Sequence, residues 1–178
     1  MATTVCDVLV VLPTLGDRLD TLARAISSAT TQSGVRVRVV VVVPENQTAA
    51  VELATHAGAE VVADPGTGMS AAINLGLGQR RGERYYIWLG DDDYYQPGGL
   101  ASLSGLLDDN PQAVVAYGAC DYVDVEGRVL WTSRAGRWAS KLIGFGPNLV
   151  PHPAAMMRLD AVMDAGGYDE QLSLVMDL

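Results

Sequence analysis

The sequence is short of basic charge, of cysteine and of long apolar runs, and each shortage closes off a class of function. Twelve Lys and Arg stand against 21 Asp and Glu in 178 residues, a formal net charge of −9, with a pI near 4.5. A nucleic-acid surface needs a basic stripe, and here the cations are scattered, which argues against nucleic acid as a partner. The two cysteines, Cys6 and Cys120, form no disulfide framework and have no metal-ligand spacing. They read as reduced core thiols of a cytoplasmic protein. No stretch approaches the roughly 20 apolar residues of a membrane span, and Asp7 interrupts the N-terminal apolar run before it reaches signal length. Internal repeats and low-complexity linkers are absent as well, so one domain is expected over residues 1–178.

What is present is an alternation of apolar strands and amphipathic helices. Val5 to Leu12 is a nearly unbroken apolar run closed by Pro13, the pattern of a strand buried on both faces of a parallel sheet. Leu19, Leu22, Ala23, Ile26 and Ala29 then recur at helical spacing, with Asp17 expected to cap. The pattern repeats with a strand over 35–43 and a helix over 48–56, a strand over 60–63 and a helix over 70–79, and a fourth strand over 84–89. Such alternation predicts a doubly wound α/β sheet whose ligands sit beyond the carboxyl ends of the strands. The loops at 13–17, 44–48, 64–70 and 90–97 should therefore converge. Short strands are expected at 114–117, 121–125 and 128–131, the last two joined by a turn around Glu126-Gly127. They form a smaller, mixed continuation of the same core.

The densest chemical signal is Asp91-Asp92-Asp93, directly after the fourth strand. Three adjacent carboxylates repel one another, and a divalent cation with one or two carboxylates, phosphate oxygens and water relieves that repulsion. A solvated acidic turn at the start of the next helix is the plain alternative.

The order of three motifs decides between these readings. Leu12-Pro13-Thr14, then Gly68-Met69-Ser70-Ala71-Ala72-Ile73-Asn74-Leu75-Gly76, then the acidic turn ending at Pro97 resembles family-two glycosyltransferases of the GT-A fold. The resemblance continues through Asn148 to Ala154 and through Gly166-Gly167-Tyr168-Asp169-Glu170. It implies a nucleotide-sugar-binding part over 1–112 and the start of an acceptor-side part over 113–178. By alignment on Pro97, it implies metal ligation by Asp92, with Asp93 beside it, while Asp91 reaches the donor's ribose or the metal. The division among the three stays open, because the family's frequent acid is replaced by Gly90.

Carried over in the same way, Pro13 and Thr14 border the nucleobase. Glu45 is the one acid of the second loop able to take the base-contacting place, and Asp64, Gly68 and Asn74 belong to the third loop and its helix. Ile73 stands where the family commonly has Arg. His152, stiffened by Pro151 and Pro153, lies on the acceptor or diphosphate side. The aromatic residues Trp131, Trp138 and Phe145 are either an acceptor platform or core. Asp177 aligns with the general base, and Asp169 and Glu170 are its neighbouring competitors.

The implied reaction is inverting transfer of a hexose or deoxyhexose from a UDP or dTDP sugar to a hydroxyl on a glycan, a lipid-linked carrier or a small acceptor, with Mn²⁺ or Mg²⁺ as cofactor. A catalytically degenerate nucleotide-sugar-binding domain is the alternative, and a sugar-phosphate nucleotidyltransferase lacks its Gly-rich first loop here. The chain halts at Leu178 where the family continues into a helix, so it is expected to be an inactive fragment. Uncovered apolar surface should then favour self-association. A cytoplasmic location is expected, with peripheral association at the inner face of the membrane through the continuation.

Overall fold

A computed structural model describes residues 6–136, 139 and 150–171. Its chain order is β1 (Val8–Pro13), α1 (Leu19–Thr30), β2 (Val37–Val43), α2 (Thr48–His56), β3 (Glu60–Ala63), α3 (Met69–Leu77), β4 (Tyr85–Trp88) and α4 (Gly99–Asp109). There follow β5 (Val115–Tyr117), β6 (Cys120–Val123), β7 (Val129–Ser133), a 3₁₀ turn (His152–Ala154), β8 (Ala155–Arg158) and α5 (Leu159–Asp164). The three expected strand–helix alternations and the fourth strand all form.

The β-branched runs form the centre of a six-stranded sheet of order β3-β2-β1-β4-β8-β5. Strands β3, β2, β1 and β4 run parallel, with Val8 opposite both Val37 and Tyr85. Side chains of β1 alternate between two cores, as a period of two requires. Val8, Val10 and Leu12 pack with α1, α2 and α4, whereas Leu9 and Val11 pack with α3 and α5. All five are fully buried, which is why the run shows no polar alternation. Helix α3 lies so close to β1 that a Cβ on Gly76 would overlap the Val11 side chain, so only glycine lets the two approach.

Strand β8 was not foreseen in the sequence. It inserts antiparallel between β4 and β5, pairing Tyr85 with Arg158 and Tyr117 with Ala155. Arg158 fixes it there: Nε donates to Ala113 O at 2.8 Å and Nη2 to Leu107 O at 2.7 Å, answering carbonyls at and after the end of α4. The expected cap of α1 is also corrected. The N-cap is Arg18 and no side chain caps the helix. The turn at Gly16 (φ 78°) carries the chain past Asp17, which stays exposed, and the Arg18 side chain turns toward the acidic loop instead.

Strands β6 and β7 form a separate two-stranded ribbon, closed by Asp124 N donating to Arg128 O and Gly127 N to Asp124 O. This is the hairpin expected around Glu126-Gly127. No helix among the described residues is long and apolar enough to cross a membrane.

Candidate functional site

The parallel strands deliver their following loops to one end of the sheet. The loop after β1 and the loop after β4 meet there because β1 and β4 are neighbours in register. Thr14 Oγ1 donates to Asp91 Oδ2 at 2.5 Å, a contact between residues 77 apart in sequence. The same hydroxyl oxygen accepts the N–H of Gly16 at 2.9 Å. Thr14 and Asp91 are 7% and 3% exposed, so the pair is a buried tie between two loops. The loop after β2 joins them, since a Cβ on Gly16 would lie 2.8 Å from Gln47 Cβ.

Arg18, at the start of α1, spans the acids. Its Nη2 lies 2.5 Å from Asp91 Oδ1 and its Nη1 2.7 Å from Asp92 Oδ2. Both oxygens of Asp91 are thus engaged. Asp92 is different: its side chain is 56% exposed, and Arg18 engages only one of its oxygens. Asp92 Oδ1 and Asp93 Oδ2 each lie 3.1 Å from the point where a Cβ on Gly90 would stand. Two carboxylates therefore converge on the space that the missing side chain leaves. Burial, and then the negative charges of Asp92 and Asp91, push the Asp93 carboxyl up to about 6, against the pull of Arg18 and Arg24. Arg24 lies over the Tyr94 ring at 4.2 Å and reaches the Asp92 carbonyl at 3.5 Å.

Hard oxygen ligands, clustered and repelling, are the donor set that Mg²⁺ or Mn²⁺ takes, and two convergent carboxylates suffice when a diphosphate supplies further oxygens. The residues fit such an ion at Asp92 and Asp93. A site of three or more His, Cys, Asp or Glu is absent among the described residues.

The remaining candidates fall into distinct places. His152 stands against Trp88, the last residue of β4, with ring centroids 5.2 Å apart; it is thereby brought to the acidic-loop end of the sheet. Pro13 is buried and Glu45 exposed on the neighbouring loop. Asp64 Oδ1 accepts the Gly66 N–H at 2.8 Å, and Gly68 is the N-cap of α3. Asn74 has both ends of its amide committed: Nδ2 donates to Tyr168 O at 2.8 Å and to Glu170 Oε1 at 2.9 Å, while Oδ1 accepts the Tyr168 N–H at 2.9 Å. It ties α3 to the Gly-Gly-Tyr-Asp-Glu segment. Ile73 is fully buried in the α3-side core, so this position serves packing. Trp131 is 60% exposed and stacks on Tyr122 at 4.9 Å. Trp138, Phe145 and Asp177 lie outside the described residues.

Arg18 is not among the residues expected at the site from sequence. It is the cation that follows β1 on the loop facing the acidic turn, and that position was the available signal.

Comparison with known proteins gives a consistent picture. The sequence profile of Glycosyl transferase family 2 matches residues 9–162. No curated protein matches in sequence. Among solved structures, residues 1–349 of S. aureus TarS superpose with a TM-score of 0.66 at 17% identity, covering 96% of this chain and 52% of that one. The mannosyltransferase PcManGT from Pyrobaculum calidifontis, in complex with GDP-Man and Mn²⁺, gives 0.63 at 18% identity, covering 96% of this chain and 49% of that one. The chain thus spans about half the length of these structures, and the likeness establishes the shared fold.

Proposed function

From the premise that the chain belongs to glycosyl transferase family 2, we propose that it serves inverting transfer of a sugar from a nucleoside-diphosphate sugar to an acceptor hydroxyl, with Mn²⁺ or Mg²⁺ as cofactor. The observation that carries this reading is the convergence of Asp92 Oδ1 and Asp93 Oδ2 at Gly90, at the carboxyl end of β4. TarS bound to UDP and to UDP-GlcNAc, and PcManGT bound to GDP-Man and Mn²⁺, support the donor class and the metal.

When bound, the divalent ion offsets the charge that develops on the departing diphosphate. The chain's own residues do the rest. Asp92 and Asp93 hold the ion, and Asp91 locks the loop after β1 against the acidic turn through Thr14. Pro13, Thr14, Glu45, Asp64, Gly68 and Asn74 shape the nucleotide side, Asn74 acting by fixing the segment at 168–170. His152 faces the acceptor or the diphosphate from beside Trp88. Asp177 is the general base: as the acceptor oxygen bonds the anomeric carbon and the bond to the diphosphate oxygen breaks, its carboxylate takes the acceptor's proton. The acceptor is a glycan, a lipid-linked carrier or a small molecule, and the place of action is the cytoplasm, at the inner face of the membrane.

Thermal unfolding with UDP, dTDP and GDP tests the reading. One of them should raise Tm with Mn²⁺ or Mg²⁺ present and not in chelator, by an amount corresponding to about 2.7 kcal/mol at a hundred times Kd. Asp92→Ala should abolish the rise and Asp177→Asn should keep it, because the base is not part of donor binding. Equal shifts with and without chelator would remove the metal.

A further inference from the structure

Arg18 meets two carboxylates that differ in every respect that governs release. Asp91 is 3% exposed and is fixed from its other side by Thr14 at 2.5 Å. Stripping the guanidinium from it would leave a buried charge with one hydrogen bond, a costly state. Asp92 is 56% exposed, and among the described residues Arg18 is the sole side-chain partner of its carboxylate. Its other oxygen, Oδ1, lies beside Gly90, as does Asp93 Oδ2. The half of the guanidinium on Asp92 is an exposed, weak contact, and the half on Asp91 is a buried, firm one.

The backbone of Arg18 does not move with its head. Its carbonyl accepts the Leu22 N–H at 3.0 Å and the Thr21 hydroxyl at 3.2 Å, holding it as the first residue before α1. The side chain, 52% exposed, pivots from that fixed point. Its charge cannot be removed by deprotonation. A dication approaching Asp92 Oδ1 from the Gly90 side therefore meets a permanent positive charge on the other oxygen of the same carboxylate, and the two cations compete for its charge.

We infer that Arg18 is an exchangeable counter-ion of the donor site: it neutralises Asp91 and Asp92 in the metal-free protein, yields Asp92 to a divalent cation, and turns the released N–H toward the diphosphate of the arriving nucleotide. The inference rests on the function proposed above. A planar guanidinium anchored at one edge by Asp91 leaves its other edge to engage phosphate oxygens, a match a lysine would not reproduce. Arg18 thus works against the metal when the metal comes alone and with it when the nucleotide is present.

That pair of opposite signs is the test. Mn²⁺ binding to the 178-residue chain is followed by the EPR signal of free Mn²⁺, and UDP and GDP are then titrated by calorimetry at saturating Mn²⁺. Arg18→Gln should bind Mn²⁺ alone about fivefold more tightly, since a competing exposed ion pair is lost. It should bind the nucleotide about tenfold more weakly, since a charged hydrogen bond to phosphate is lost. Arg18→Lys should keep near wild-type Mn²⁺ affinity and fall between the two for the nucleotide. A merely structural arginine would weaken both together on replacement, and that result, or no change in either, overturns the inference. If the wild-type chain binds neither nucleotide with Mn²⁺, the proposed function falls first and the inference with it.

Discussion

The acidic loop after β4 and the ribbon of β6 and β7 both stand beyond the central sheet, yet they are built on opposite terms. The loop grows from a strand whose four residues are all buried, and its first acid is tied through Thr14 to the neighbouring strand's loop. Among the described residues the ribbon pairs only with itself. Its Val129, Leu130 and Trp131 are 57%, 71% and 60% exposed, and Val125 is 98% exposed. In the loop, polar groups are fixed by a buried frame; in the ribbon, apolar groups face solvent with two strands behind them. The first arrangement suits charges that must be preorganised, because a buried frame holds a repelling cluster in place. The second contributes little to the stability of the whole.

Breaking the tie should show the largest effect. Thr14→Val keeps the shape and removes the hydroxyl, leaving Asp91 without its 2.5 Å donor and the Gly16 N–H without its acceptor. Urea denaturation should report a loss of about 2 kcal/mol, the scale of an unsatisfied buried polar group. A loss below about 0.5 kcal/mol would mean that the loops do not depend on each other.

A smaller effect follows from the burial of Asp93 and the repulsion of its neighbours. Asp93 is raised to about 6 from an ordinary 3.8, so the folded state holds a proton there that the unfolded chain has released. This group's contribution to stability is therefore present at low pH and is lost as pH climbs through about 6. Without metal, the stability difference between wild type and Asp93→Asn should move in favour of wild type by about 1 kcal/mol between pH 7 and pH 5, solvent reducing the full value at a half-buried carboxyl. A difference that stays flat across that window would show that neither burial nor the neighbouring carboxylates raise Asp93 in the folded chain.

The ribbon should respond least. Trp131→Ala removes a stacked but exposed contact with Tyr122 and should cost about 0.5 kcal/mol of global stability by the same denaturation. A loss as large as that of Thr14→Val would erase the contrast between the two regions.

Much of this frame was legible from residue order alone. β1 to β4 and α1 to α3 announce themselves because both-face burial demands unbroken apolar runs and one-face burial demands helical periodicity. The acidic loop was legible because three carboxylates side by side are chemically conspicuous. Strand β8 was not: Ala155-Met156-Met157-Arg158 has neither β-branched residues nor alternation, and only its slot between β4 and β5 makes it a strand. Asp17 has the local spacing of a cap, while the turn at Gly16 decides otherwise. Arg18 escaped because its partners lie 73 and 74 positions away, a relation created by the pairing of β1 with β4 and invisible in any local window. Asn74 is the converse case. Its family motif was visible, and its partners at 168–170 explain the residue only once the chain has returned to α3.

The late return of β8 has a consequence for how the protein is made. Strands β3, β2, β1 and β4 can assemble as soon as the first ninety or so residues are available, since each pairs with a strand already synthesised. β5 comes next off the ribosome but has no partner waiting, because its only neighbour in the sheet among the described residues is β8. For the time it takes to add some forty residues, at about 5–20 residues per second, a nascent chain exposes the open edge of β4 and an unpaired β5. Those seconds are the interval in which an intruding strand from another chain competes for the slot, and the arrival of Ala155 to Arg158 closes it.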